Sequence, residues 1–124
     1  MAVSFVLADK GRDIAGDALM AALDDGVLEL LETATLLVTL TLPDQATNTS
    51  VNGVITLGAI TPAAAGAAGT ANTAKFYNNG KANLIATANV GIGAGFSVNL
   101  DNNVIALAQV VTITSATITV PAGT

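Results

Sequence analysis

Two periods divide the chain. Across residues 9–25, Ala15, Ala18, Leu19, Ala22 and Leu23 recur three and four positions apart, the spacing of one apolar helical face. Arg12, Asp13, Asp17 and Asp24 fall largely off that stripe, and Asp9 stands where an N-cap is expected. Gly26 then sits where a helix commonly ends in the left-handed conformation. From residue 27 the period becomes two. Segments 27–31 and 36–42 read as strands, with Leu36, Val38, Leu40 and Leu42 on one face and Leu37, Thr39 and Thr41 on the other. Pro43 closes the second of them, and 44–52 reads as a polar loop.

Further strands are expected at 51–60, 73–77, 81–90 and 96–100. Segment 61–72 is an Ala- and Gly-rich, turn-prone stretch of low complexity. Asn78-Asn79-Gly80 predicts a tight hairpin, because Asn-Gly accepts the positive φ angles of a type I′ turn. Asp101-Asn102-Asn103 predicts another turn. The run 110–120 alternates almost without a break and is dominated by β-branched residues, which suit a pleated surface. Both of its faces carry apolar side chains. It is therefore covered on both sides, or it bends near Ser115 so that the faces exchange. Together these elements predict one domain over residues 1–124, mainly β, a β-sandwich or jelly-roll-like fold with one short N-terminal α-helix.

Composition narrows what such a domain can do. The chain has no Cys and no His, which removes disulfides, thiolate metal sites and the commonest general base. Only 10% of the residues are charged, against about a quarter in an ordinary soluble domain. A surface so poor in charge is expected to be covered by other chains, so a homo-oligomer or an assembly component is the favoured reading. Residues 9–32 carry seven acidic and two basic side chains and thus the whole net charge of −5. With no basic patch, nucleic acid is not an expected partner. No apolar run is long enough to span a membrane as a helix, and 2–8 makes a poor signal peptide.

Several constellations invite a chemical reading, and each has a plainer one. Gly91, Gly93 and Gly95 spell G-x-G-x-G, but a strand rather than a helix is expected to follow, so a glycine-rich turn is the better reading than a phosphate loop. Asn99, Asp101 and Asn103 have the alternating oxygens of a calcium loop without its turn glycine or distal Glu. Asp24, Asp25, Glu29 and Glu32 form an acidic stretch expected to be exposed, not a carboxylate pair in a cleft. Ser4, Ser50, Ser97 and Ser115 have no His to activate them. Phe76 and Tyr77 could stack on a sugar or partner, although a core Phe beside a half-buried Tyr is the more usual arrangement. No catalytic residue, cofactor site or metal site is assigned, and an enzyme is not expected.

The order of the motifs carries a resemblance. Arg12-Asp13-Ile14-Ala15-Gly16-Asp17-Ala18-Leu19 is followed by Leu-Leu-Val-Thr-Leu-Thr-Leu-Pro at 36–43 and Asn-Gly-Val-Ile-Thr-Leu at 52–57. Thr-Ala-Lys-Phe-Tyr at 73–77 and Val-Thr-Ile-Thr-Ser-Ala-Thr-Ile-Thr-Val-Pro-Ala-Gly at 111–123 complete it. Over nearly its whole length the chain resembles a family of small structural proteins encoded in tailed-bacteriophage and prophage virion gene clusters. It departs from that pattern at Lys75-Phe76-Tyr77, where Trp-Phe-Arg is common. The resemblance implies a virion protein, assembled in the bacterial host cytoplasm, most simply a capsid decoration or cement protein. Its partners would be the major capsid protein or other virion proteins, and it would form a homo-oligomer, with a trimer possible. A neck or tail component and a β-sandwich module for host-surface glycans are the alternatives.

Overall fold

The computed structural model describes residues 7–43, 50–57, 59–92 and 96–120. One helix, α1 (Asp9–Ala22), precedes β1 (Val27–Glu32), β2 (Thr35–Thr41) and β3 (Val54–Thr56). Next come β4 (Ala63–Ala64), β5 (Gly69–Thr70), β6 (Thr73–Tyr77) and β7 (Leu84–Gly91). The chain finishes with β8 (Val98–Leu100), β9 (Val104–Ile105), β10 (Val110–Val111) and β11 (Ile113–Thr119). The fold is mainly β with a single N-terminal helix among the described residues, as the sequence predicts.

Seven strands join in the order β2-β1-β6-β7-β8-β11-β3. β7 turns the corner. Residues from Leu84 to Asn89 pair antiparallel with β6, while Val90 and Gly91 pair parallel with Val98 and Asn99. One strand thus serves two layers, β2-β1-β6-β7 and β7-β8-β11-β3, which is how a sandwich makes a corner. The space between them is filled by a single cluster that includes Leu28, Leu30, Leu40, Ile55, Phe76, Val98 and Leu100, each at most 2% exposed. Close packing of this kind makes the hydrophobic term the main source of stability.

The helix sits differently from its expected face. Its buried residues are Gly16 and Met20, followed by Leu23 beyond its end, whereas Ala18 is exposed. The reason is a close approach: a Cβ at Gly16 would lie 2.4 Å from Ser50 Oγ and 2.6 Å from Ser50 Cβ. Bringing Gly16 inward also turns Arg12 and Asp13 toward the sheets. Asp9 is not the cap. Ala8 holds the N-cap position, and Asp9 lies in the first turn, where its negative charge complements the positive end of the helix dipole. At the other end Asp25, with φ 53°, takes the left-handed conformation. Gly26 has a different role, because a Cβ there would come within 2.2 Å of the Tyr77 carbonyl oxygen.

Two turn expectations are also corrected. The 78–83 connection contains a single 3-10 turn, Asn79–Lys81, and its positive φ angles fall on Gly80 and Lys81, not on Asn79 and Gly80. Asn78 stabilises this wider loop by accepting the Asn83 N–H on Oδ1 at 2.8 Å. In the stretch 61–72, β4 pairs with β10 and β5 with β9, forming two small ribbons. The strand expected over 51–60 is short, with β3 at its centre and Val51 folding back as a bridge to Val54. The run 110–120 is broken at Thr112 into β10 and β11, and β11 shifts register between Ile113 and Ser115. That bulge exchanges the faces: Val111 is buried before it and Ala116 after it.

Candidate functional site

Among the described residues, those singled out for chemistry do not converge on a cleft. Gly91 ends β7, and its missing Cβ leaves room for the Phe96 ring, whose carbons lie 2.5 Å from where that Cβ would be. Gly93 and Gly95 lie outside the described residues. Asn99 lies in β8, and its amide donates to the Phe96 carbonyl at 3.2 Å and to Ser115 Oγ at 3.0 Å. Asn102 accepts the Val104 N–H at 3.0 Å, so the Asp101-Asn102-Asn103 segment behaves as a polar turn. Among the described residues no group of three or more acidic side chains is placed to hold a metal ion. Ser4 lies outside the described residues, and no helix among them is long and apolar enough to cross a membrane.

Ser50 is partnered with the helix. Its N–H donates to Asp17 Oδ1 at 2.9 Å and its hydroxyl to Asp13 Oδ1 at 3.2 Å. Asp13 Oδ1 also accepts the Gly53 N–H at 2.9 Å. The two carboxylates therefore satisfy the backbone donors of the turn before β3. A Cβ at Gly53, which has φ +79°, would come within 2.6 Å of Arg12 Nε, so glycine is required there twice over. Nothing in the sequence marks this contact, since its two halves are separated by the loop between β2 and β3.

The acidic stretch is divided by the strand period. Asp25 is exposed, and Glu32 accepts the Thr70 N–H at 2.7 Å. Glu29 is the correction: it is only 4% exposed. It projects from the face of β1 opposite to Leu28 and Leu30, where Lys75 and Thr39 are its cross-strand neighbours. Lys81 reaches back from the 78–83 loop to make an ion pair with it, and the ammonium lies 5.2 Å from the centre of the Tyr77 ring. The hydrogen bond to Glu29 holds the Lys81 pKa above its ordinary value. Loss of solvent around the phenol, reinforced by the Glu29 charge, raises that of Tyr77. Phe76 is fully buried and Tyr77 half-buried with Lys81 near its ring, an arrangement that leaves this pair little free aromatic surface. This trio acts as a latch, closing a loop onto a sheet.

The remaining candidate is a surface. The β3 end of the sheet is closed by the helix and by the Val51 bridge. The β2 end is open. Beside it lies a groove of about 320 Å³ lined by Leu36, Leu37, Val38, Thr39, Ala64 and Gly66. Ala64 pairs with Val110, which is 63% exposed, and Leu36 is 43% exposed, so apolar surface continues across the groove. The chain matches no protein-family model, no curated protein and no solved structure. The functional reading therefore rests on this surface and on the order of the sequence motifs.

Proposed function

We propose that the chain is a structural component of a bacteriophage virion, a capsid decoration protein that strengthens the head by bridging capsid subunits. The observation that carries the assembly role is the surface beyond residue 32. It holds only Lys75, Lys81 and Asp101 as described charged residues, and it exposes Leu36, Leu84, Val104, Leu107 and Val110 at 43–66%. A protein that works alone in water normally carries more charge and fewer exposed aliphatic side chains. Many copies, each making a modest neutral contact, bind a shell collectively through multivalency. The virion assignment rests on the motif order, from Arg12-Asp13 to the terminal Thr-rich run. The role is structural, without catalysis.

Particles assembled without the protein provide the test. Added chain should bind them in numbers comparable to the capsid subunits and raise the temperature at which the heads rupture. Binding of only a handful of copies at one vertex would transfer the reading to a neck or tail component. Absence of binding to any particle would overturn it.

A further inference from the structure

We propose that β2 is the pairing edge of a two-fold symmetric dimer of this chain. The pairing of β1 fixes which backbone groups are free. Leu42 N–H bonds the Gly26 carbonyl at 2.9 Å, and Leu40 and Val38 face Leu28 and Leu30 in register. By alternation, Leu37, Thr39 and Thr41 turn their N–H and C=O groups away from β1. The Leu37 carbonyl is occupied, accepting the Gly66 N–H at 2.8 Å. Among the described residues nothing bonds the outward groups of Thr39 or Thr41.

Natural sheets protect such an edge with Lys, Pro, an inward charge or a covering segment. Thr-Leu-Leu-Val-Thr-Leu-Thr carries none of these residues. The occupant is read from symmetry and charge. A two-fold axis through Leu40 sets Thr39 of each copy opposite Thr41 of the other, so the two free residues satisfy each other. It also creates two Thr–Thr cross-strand pairs, a favoured combination. A neutral strand offers nothing for a charged partner to complement, while the acidic segment's Asp13 and Asp17 are engaged at the β3 end. Each chain carries a net charge of −5, none of it on β2, so the two edges meet without a like-charge contact between them. Leu36 and Val110 extend the contact beyond the strands.

The pairing concerns the free protein in solution, so it fails or stands independently of any particle. Sedimentation velocity of the full chain should show a concentration-dependent dimer. Thr41→Pro removes one outward donor from each copy and spares the β1 ladder, a position where a sheet tolerates proline. It should weaken the dimer by about tenfold or more, two hydrogen bonds being lost. Thr41→Val keeps the N–H and should stay dimeric. Amide exchange of the unmodified chain gives a second readout: the Thr39 and Thr41 amides should be protected in concentrated and not in dilute protein. A monomer at all concentrations, or a dimer in which those two amides exchange freely, overturns the proposal.

Discussion

Arg12 Nε donates to the carbonyl oxygen of Val120 at 2.8 Å, tying the first turn of the helix to the end of the last strand. The guanidinium is four-fifths buried, at 19% side-chain exposure, and also pairs with Asp9 at 3.5 Å. A charged donor on a sheltered carbonyl contributes about 1.5–3 kcal/mol. Arg12→Ala should therefore lower stability by roughly that amount in denaturant titration. Arg12→Lys should recover little, since a lysine has no donor at the Nε position.

The helix supplies two glycines with opposite expectations. An exposed helical Gly→Ala change normally gains up to about 1 kcal/mol. Gly11, though half-buried, should follow that rule, because its new methyl group meets only Leu7, nearest at the flexible Cδ2 end at 3.3 Å. Gly16→Ala should reverse it. The methyl group would overlap Ser50, whose Oγ and N–H are held by Asp13 and Asp17. Overpacking of this kind costs about 1–3 kcal/mol. Thermal melts of the two variants should move in opposite directions, and equal shifts would show that the helix can slide.

Tyr77 is the chain's single tyrosine, and there is no tryptophan, so ultraviolet absorbance reports one phenol. Its titration midpoint should lie above 10.0. Glu29→Gln should lower it by removing a negative neighbour, and Lys81→Met should raise it further by removing a positive one. Raised values mean that the folded state holds these protons more tightly. The Tyr77 and Lys81 contributions to stability are thus complete below pH 10.0 and 10.5 and are lost as pH rises through the higher folded-state values. Alkaline loosening of the 78–83 loop, followed by amide exchange, should begin at lower pH in Glu29→Gln.

Local patterns were legible where neighbours along the chain decide them. The expectations at 27–31, 36–42 and 73–77 correspond to β1, β2 and β6. Burial alternates through β6, but residues 28–31 of β1 are all buried, and Leu37 is buried while Leu36 is exposed, the reverse of the expected faces. The helix was legible, and Leu19 and Leu23 of its expected face do pack against the core, but its rotation toward Gly16 and Met20 was not. Gly16 looks like a weak helix former, and Arg12 and Asp13 look solvated until Ser50, Gly53 and Val120 are brought to them. Glu29 was misread for the same reason, since its partner Lys81 comes from a loop 52 residues further along the chain. The β4 and β5 ribbons could not be read from an Ala- and Gly-rich segment that has no period.

The final strand gives the sharpest test of the core. β11 lies between β8 and β3, so its loss would detach β3 and leave β8 with only its short pairing to β7. Its bulge at Thr114 divides it: Ile113 packs against the core before the bulge, and Ala116 and Ile118 do so after it. Thr114 itself is exposed, its hydroxyl donating to the Asn99 carbonyl at 3.0 Å. Ile113 is half-buried and packs against the core, so a carboxylate there would lose part of its water. Burying a polar group without a partner costs several kcal/mol, and small domains are stable by only about 5–15 kcal/mol in all. Ile113→Asp should consequently unfold the protein or lower its midpoint severely. Thr114→Asp loses one exposed hydrogen bond and should cost about 1 kcal/mol. Circular dichroism melts of the pair decide the matter. Equal tolerance of both would mean that residues 113–119 are not part of the core, and the two-layer arrangement would have to be abandoned.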